Sequence, residues 1–389
     1  MLKEKRLVPQ LRFSEFEGEW KRRNIKDILT IGSGKDYKDL KSGDIPVYGS
    51  GGLMTKVNDY LYDGESIGIG RKGTIDKPIF LKGKFWTVDT LFYTHTFLES
   101  YPKFIFSQFQ RINWKLHNEA SSIPSLSKST IAKIKINITS LEEQQKIANF
   151  LTAMDNRIYT LEKKKILLEQ YKKGVLQKIF KQELRFKDDT STSLSTSDGK
   201  AYPEWEEKKL GKLTYKVGKK NKENISYPIY SINNQEGFRP QSEQFEGLDS
   251  NDRGYDISLY KIVNKETFAY NPARINVGSI GYSFELNEVI ISSLYVCFKT
   301  NKELEDLYLL AYLDTNKFNK NILRYEEGGV RQYLFYENFS QIKIPLPSNA
   351  EQTKIANFLS AIDISVELVT KKIEHTKTFK KGLLQQMFV

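Results

Sequence analysis

The chain is poor in cysteine and histidine and has no long apolar run. Its 389 residues include one cysteine, Cys297, and three histidines. This composition argues against a disulfide framework and a zinc site, and it favours a reducing compartment. No apolar segment approaches the ~20 residues that span a bilayer, and the N-terminal sequence MLKEKRLVPQLRF lacks the apolar core of a signal peptide. We therefore expect a cytoplasmic protein with no membrane partner and no metal site.

Catalytic motifs are also scarce. Residues 68–73 fit the pattern G-x-G-x-x-G, but a dinucleotide site needs a helix that begins at the last glycine. The following residues are strand-like and include Pro78, so we interpret the glycines as part of a sheet turn. Cys297 lies in the apolar run IISSLYVCF and is expected to be a buried structural thiol. The sequence therefore predicts no catalytic residue.

One segment of the chain occurs twice. Residues 143–180 align without a gap with residues 351–388, and 18 of 38 positions are identical. In both copies apolar residues recur at spacings of four and three, which is typical of a coiled-coil seam. The seam residues are Ile147, Leu151, Met154, Ile158 and Leu161 in the first copy, and Ile355, Leu359, Ile362, Val366 and Val369 in the second. A lone helix cannot bury such a stripe, so the two copies are predicted to pair. The alternative is two surface helices that each pack on their own domain.

Each copy starts with a Ser-x-x-Glu pattern, Ser140 with Glu143 and Ser348 with Glu351. This pattern predicts a capping box, in which the serine accepts a hydrogen bond from the first helical turn and the glutamate reaches back to the serine N–H. The predicted helices are residues 141–180 and 349–389.

The rest of the chain is expected to form two globular domains. The segment Leu11-Arg12-Phe13 recurs as Leu184-Arg185-Phe186, and Glu19-Trp20 recurs as Glu204-Trp205. The expected domains are residues 1–140 and 201–348, and the Ser/Thr/Asp-rich stretch within 181–200 predicts a flexible linker.

Aromatic and β-branched runs at 80–97 and 287–300 predict strands, and short helices are expected near 101–113 and 303–322. The predicted fold class is α+β, with a mixed or mostly antiparallel sheet in each domain. The two domains alternate with two long helices that pair as an antiparallel coiled coil, which gives the chain an internal pseudo-two-fold repeat.

Charge is unevenly distributed. The formal net charge is +12, which indicates a polyanionic partner. Residues 1–140 contain 23 Lys and Arg against 15 Asp and Glu, a net charge of +8, whereas residues 201–349 contain 19 against 20, a net charge of −1. Charge alone therefore favours nucleic-acid binding by the first domain only.

Turns that carry cationic, amide and hydroxyl side chains are candidates for contacts with phosphates and base edges. In the first domain the candidates are Arg71, Lys72, Thr74 and Ser125. In the second they are Asn233, Asn234, Gln235, Arg239, Arg274, Asn276, Arg331 and Gln332. The alternative for residues 71–74 is an ordinary sheet turn with exposed basic residues.

The doubled EQ-x-KIANFL-x-A helix, its KKG-x-LQ ending and the LRF…EW start of each half together resemble the specificity subunit of type I restriction-modification systems. The resemblance covers nearly the whole chain. It implies two target-recognition domains that each read one half of a bipartite site in double-stranded DNA, and an antiparallel helical spacer.

The same resemblance implies protein partners. Two methyltransferase subunits would dock on the helices, and restriction and translocation subunits would then join. S-adenosylmethionine, ATP and Mg²⁺ are expected on those partners, and the chain itself is expected to be non-catalytic. Two other functions stay open at this point: a coiled-coil adaptor that binds only protein, and a self-sufficient DNA-modifying enzyme.

Overall fold

The computed structural model describes residues 6–186, 194–196, 203–234, 237–244, 247–329 and 332–389. The chain divides into two compact units. Unit 1 comprises Met1–Lys163 and Val369–Val389, and unit 2 comprises Lys164–Leu368. Each long helix therefore begins in one unit and ends in the other. The domain boundaries inferred from the sequence separate the helices from the globular parts and stay predictions.

Unit 1 is built on a mixed sheet. Its strands are β1 (Lys21–Asn24), β2 (Thr30–Ser33), β3 (Ser42–Gly49), β4 (Gly52–Val57), β5 (Tyr62–Gly70), β6 (Ile79–Thr87), β7 (Leu91–His95) and β8 (Lys135–Ile138). Its short helices are α1 (Pro102–Phe109) and α2 (Lys128–Lys133), and the long helix α3 (Leu141–Phe180) follows β8. Six strands pair in the order β2-β7-β5-β6-β3-β4, with β3 parallel to β6. The aromatic run at 80–97 lies in β6 and β7, which confirms the strand prediction there.

Unit 2 has shorter strands, and its main strands form two four-stranded sheets in place of one six-stranded sheet. They are β9 (Leu184–Phe186), β10 (Leu194–Thr196), β11 (Glu206–Lys209), β12 (Thr214–Val217), β13 (Ile229–Asn233), β14 (Gly237–Pro240), β15 (Lys261–Val263), β16 (Phe268–Tyr270), β17 (Ile280–Tyr282), β18 (Val289–Ile291), β19 (Val296–Thr300) and β20 (Lys343–Leu346). The helices are α4 (Leu210–Leu213), α5 (Asp306–Leu313), α6 (Asn316–Tyr325), α7 (Tyr336–Phe339) and the long α8 (Asn349–Gln386). The strand orders are β12-β19-β16-β17 and β14-β13-β18-β15. A parallel pair, β13 with β18, occurs here too.

The helix predicted near 303–322 is two helices. The break falls at Thr315, whose Oγ1 accepts a hydrogen bond from the N–H of Phe318 at 3.1 Å. This contact starts α6 as a new helix, because a threonine at an N-cap satisfies a backbone donor that the helix itself leaves free.

Most of the linker predicted at 181–200 lies outside the described residues. The described parts are ordered: β9 pairs antiparallel with β10, and Arg185 in β9 is buried. The segment Leu184–Phe186 is therefore anchored in unit 2.

The two predicted long helices are both present, with lengths of about 60 Å for α3 and 57 Å for α8 at ~1.5 Å per residue. The predicted end of the second helix at 389 is too late, since α8 ends at Gln386. Met387 and Phe388 leave the helix and are 2% and 3% exposed in the core of unit 1.

The seam residues pack against the other long helix and against the globular part of their own unit. In unit 1, Ile147 and Leu151 of α3 share a core with Leu383 of α8 and with the globular part. In unit 2, Ile355 and Leu359 of α8 share a core with Leu176 of α3. Further along the helices, the seam positions range from buried to half-buried: Met154, Ile158, Leu161, Ile362, Val366 and Val369. Each core therefore contains the start of one long helix and the end of the other.

Ion pairs fix the direction of the helix segments within a unit. In unit 1, Lys380 Nζ lies 2.5 Å from Asp155 Oδ1, and Lys377 Nζ lies 2.6 Å from Glu162 Oε1. Residue numbers rise along α3 as they fall along α8, so the two segments in unit 1 are antiparallel. In unit 2, Lys172 Nζ lies 2.7 Å from Asp363 Oδ1. Asp155 and Asp363 are equivalent repeat positions, as are Lys172 and Lys380, so the two units contain the same ion pair.

The glutamate at the start of each long helix forms a buried ion pair. Arg12 Nε and Nη2 donate to the two carboxylate oxygens of Glu143 at 2.8 and 2.7 Å. Arg185 makes the same bidentate contact with Glu351 at 2.7 and 2.8 Å. The serines accept from the helix as predicted, through the N–H of Glu143 to Ser140 and that of Glu351 to Ser348. The glutamate half of the predicted capping box is wrong, because the carboxylate binds arginine, a stronger charged donor.

Neighbouring repeat residues complete this contact, which we name the clasp. It consists of the Arg-Phe dipeptide of each LRF segment, and the Glu and Phe of each EQ-x-KIANF segment. Phe13 packs edge-on against Phe150, with ring centroids 5.8 Å apart, and Phe186 against Phe358 at 5.6 Å. The clasp therefore explains why the short LRF segment recurs together with the long helix.

The glutamine after each clasp glutamate is also buried and has equivalent partners. Gln144 Oε1 accepts from the N–H of Tyr101, and its Nε2 donates to the carbonyls of Glu99 and Thr139. Gln352 does the same with Glu305, Glu303 and Pro347. Each glutamine thereby ties a long helix to the start of a short helix, α1 or α5.

Candidate nucleic-acid interface

The glycine-rich segment of unit 1 ends β5 and turns back sharply. A side chain on Gly70 would place its Cβ 2.0 Å from the carbonyl oxygen of Thr74, and Gly73 has a φ of +89°. The chain can fold back over itself at this point only because residue 70 has no Cβ. No helix follows in 71–78, which confirms that the G-x-G-x-x-G pattern belongs to a sheet turn.

This turn forms one wall of a cleft of about 610 Å³ in unit 1. The segment before α2 forms the adjoining wall. The N–H of Leu126 donates to the carbonyl of Arg71 at 2.9 Å, and Lys72 forms an antiparallel bridge with Ser125. Three of the predicted residues, Arg71, Lys72 and Ser125, therefore line the same cleft.

Lys128, which is not among the predicted residues, adds a third cation to the cleft. Lys128 Nζ and the Arg71 guanidinium each lie 5.9 Å from the ring centroid of Phe92. Arg71 and Lys72 are exposed, so their charges reach the solvent at the mouth of the cleft. The signal that could have found Lys128 is its position directly after the helix cap Ser127.

One acidic residue of the cleft, Glu119, accepts hydrogen bonds from side chains of the same unit. Glu119 Oε1 accepts hydrogen bonds from the hydroxyl of Ser127 at 2.7 Å and from that of Thr130. The Thr130 and Ser127 hydrogen bonds hold the pKa of the Glu119 carboxyl below its usual value. The carboxylate thus fixes the loop to the start of α2.

The corresponding turn of unit 2 follows β16. Asn271 N–H donates to the carbonyl of Ser279 at 3.0 Å, and the loop between them carries the exposed residues Arg274 and Asn276. The N–H of Leu334 donates to the carbonyl of Pro272 at 3.0 Å. Leu334 occupies the place of Leu126, so the same hydrogen bond joins the same two segments in both units.

Arg274 and Asn276 line a cleft of about 560 Å³ together with Gln332. Its apolar members are Leu294, which is 74% exposed, and the rings of Tyr333 and Phe335, which stack with centroids 5.6 Å apart. These three residues are not predictable from the sequence, since nothing in their local pattern separates them from core residues.

The other predicted residues are dispersed. Asn234 lines a neighbouring groove of about 960 Å³ with Asn276. Arg239 lies in β14 and pairs with Glu243 at 3.3 Å. Thr74 is half-buried in the turn after β5, and Asn233 is half-buried at the end of β13. Gln235 and Arg331 lie outside the described residues.

Within the described part of the chain, no helix is long and apolar enough to cross a membrane. The two units share a clasp and a polar cleft built from equivalent segments, which defines a duplicated protein with two similar surface sites.

The chain belongs to the family described as the type I restriction modification DNA specificity domain, which it matches twice, at residues 17–170 and 203–377. It is 30% identical over 269 residues to a protein named as the MjaX type I restriction enzyme specificity subunit of Methanocaldococcus jannaschii. That match covers 67% of this chain, and this chain spans 60% of the relative's length.

A second relative from the same organism, the MjaVIII type I restriction enzyme specificity subunit, is 26% identical over 354 residues, which cover 85% of this chain and 78% of that protein. The fold resembles the crystal structure of a type I restriction-modification S subunit from M. genitalium. The TM-score is 0.64 at 17% identity, over 98% of this chain and 99% of that one.

Proposed function

We propose that this chain is the DNA-specificity subunit of a type I restriction-modification complex. The observation that carries the proposal is duplication: the family's domain matches twice, and each copy contains a polar cleft built from the same two segments. Two similar but chemically different clefts suit a bipartite site, in which each half-site has its own sequence. The chain would be non-catalytic and would read double-stranded DNA.

The proposed role of the long helices is that of a spacer. They would pair as an antiparallel coiled coil and hold the two recognition surfaces a fixed distance apart. The ion pairs Asp155–Lys380 and Lys172–Asp363 support this role, because charges at matching repeat positions favour one register. A fixed separation gives a fixed gap between half-sites, since DNA turns once per ~34 Å.

Methyltransferase subunits are the proposed partners of the helices. The seam residues are buried or half-buried, so we expect the partner to bind other faces of the helices. These faces carry large exposed apolar residues. They are Tyr159, Ile166, Leu167, Tyr171, Ile364, Leu368 and Phe379. Tyr171 and Phe379 are equivalent repeat positions and are 51% and 52% exposed, which suits two copies of one partner. S-adenosylmethionine, ATP and Mg²⁺ would be bound by the methyltransferase and restriction subunits.

The test is co-expression with the methyltransferase subunit of the same system, followed by mapping of N6-methyladenine in the host DNA. The expected result is a bipartite motif with a fixed gap, absent when this chain is omitted. The variant Asn276→Ala should relax the motif in one half-site only, and Lys72→Ala should weaken methylation at every site without a change of motif. A stable complex without a defined motif would favour a protein-only adaptor. Methylation by this chain alone would favour a self-sufficient enzyme.

A further inference from the structure

The hairpin of β3 and β4 in unit 1 ends in two exposed apolar residues. Leu53 is 62% and Met54 is 54% exposed. The pairing places Tyr48 opposite Leu53 and Val47 opposite Thr55, so the register shifts at Met54. Such a bulge leaves one residue unpaired and changes the direction of nearby side chains. Both apolar residues therefore lie at the hairpin tip in contact with solvent.

This tip lies beside the cationic cleft. The hydroxyl of Ser50, in the hairpin turn, is 3.4 Å from where a Cβ on Gly73 would lie. Gly73 directly follows Arg71 and Lys72, which line the cleft. Its N–H donates to the carbonyl of Pro124 at 2.9 Å, and the residue before that proline, Ile123, is 51% exposed. The turn that carries the exposed apolar residues is thus next to the turn that carries the cations.

The chemistry of these two turns matches the major groove of DNA. The groove is about 12 Å wide and admits a two-stranded β-ribbon, and the thymine C5-methyl is the apolar group that it displays. Cations near the ribbon would meet the phosphates of the DNA strands. Exposed Lys56 lies on β4, and exposed Arg71 and Lys72 lie on the neighbouring turn.

We infer that the β3–β4 tip enters the major groove, and that Leu53 and Met54 read thymine by contact with its methyl group. This inference rests on the proposed function. It gives unit 1 an apolar reading element in addition to its polar cleft, and it predicts at least one thymine-dependent position in the half-site that unit 1 reads.

The test uses the full chain in complex with methyltransferase subunits and a duplex that carries the mapped motif. Each thymine is replaced in turn by uracil, which lacks only the methyl group. We expect about a fourfold loss of affinity at each contacted position, the effect of exposing one buried methyl group. In the variant Leu53→Ala/Met54→Ala, the same replacement should change affinity by less than about 1.5-fold, because the protein side of the contact is gone.

Leu98→Ala is the matched control. Leu98 is 56% exposed in unit 1, and it follows β7 in a loop that hydrogen-bonds to Ile28, outside the cleft lining. This variant should keep the full uracil effect. Equal binding of all uracil duplexes by the unaltered chain, or an unchanged uracil effect in the double variant, would overturn the inference and leave the proposed function intact. A chain that directs no motif would instead overturn the proposed function.

Discussion

Arg12 and Arg185 each bring a charge into the protein interior to hold the start of a long helix. The side chains of Arg185 and Glu351 are 6% and 7% exposed. A buried charge that loses its partner is destabilising, because water no longer solvates it and nothing replaces the lost contact. Removal of either arginine is therefore expected to lower the free energy of unfolding, because a buried glutamate then loses its cation.

Replacement of Arg185 by methionine should lower the free energy of unfolding by about 3–5 kcal/mol, since the Glu351 carboxylate is left buried without its cation. Urea denaturation would measure the change. The control is Lys265→Met in the exposed pair with Glu285, which should cost less than about 1 kcal/mol. Equal effects of the two substitutions would contradict a special role for the clasp.

The buried side chains of Cys297 and Tyr312 are expected to lower the free energy of unfolding at alkaline pH. Burial raises the pKa of the Cys297 thiol to about 11 and that of the Tyr312 hydroxyl to about 12. The folded chain then keeps protons that the unfolded chain releases above about pH 9, so the free energy of unfolding falls as pH rises. Urea midpoints between pH 8 and 11 should decline, and Cys297→Ala should make the decline shallower. A flat profile would contradict this.

Lys72 is expected to contact a phosphate, because it is exposed at the mouth of the unit 1 cleft. Lys72→Ala should reduce the slope of log K against log salt by about 0.9 in magnitude. Fluorescence anisotropy with the mapped duplex at several salt concentrations would measure it. Lys82, an exposed lysine on β6 outside the cleft lining, provides the control, and its replacement should leave the slope unchanged.

Single residues were predictable from sequence where chemistry and local position agree. Arg71 and Lys72 belong to one predicted turn and Ser125 to another segment about fifty residues later, and all three share one cleft. Lys128 was within reach of the sequence, because it directly follows the helix cap Ser127. Leu294 and Tyr333 were not predictable, because their positions in the second cleft depend on contacts between segments far apart in the chain. Local patterns do not record such contacts, and they likewise gave no sign that Glu143 and Glu351 would bind arginine.

Among the elements, the long helices combine buried and exposed apolar faces. Ile355 is fully buried in the core of unit 2, whereas Ile364 on the same helix is 57% exposed. The seam pattern predicted the buried face correctly, since its spacing follows the helical repeat. The exposed residues lie between seam positions, where sequence alone does not distinguish a docking surface from chance.

These two isoleucines separate folding from assembly. Ile355→Ala should lower the free energy of unfolding by about 2–5 kcal/mol, because it leaves a cavity in the core. Ile364→Ala should change it by less than about 0.5 kcal/mol but should reduce co-purification of the methyltransferase subunit. Undiminished co-purification of the Ile364 variant would place the docking surface elsewhere.

For the whole molecule, the proposed spacer links helix length to the gap in the DNA site. Insertion of one heptad into both α3 and α8 keeps the seam in phase and adds about 10.5 Å of helix. The gap between half-sites should then grow by about three base pairs, at 3.4 Å each. Methylation mapping would reveal the new gap, and insertion of four residues in one helix, which breaks the seam, is the control. An unchanged gap would contradict the spacer role.

The duplicated plan of the whole chain was predictable from the repeat, because the clasp and the helix seam are sequence features that recur. The assignment of strands to sheets was not, since short strands pair over long separations in the chain. Unit 2 shows this most clearly, because Ile229 in β13 pairs with Ile290 in β18, about sixty residues later in the chain.

The clasp also has a genetic consequence. Its partners lie at the borders of each globular part, and the same residue types stand at both sets of borders. A crossover between two genes within the segments that encode these borders would exchange a complete globular part and leave its anchoring contacts whole. Under the proposed function, such an exchange would change the target sequence in a single recombination event, without the series of compensating substitutions that a change inside a packed core requires.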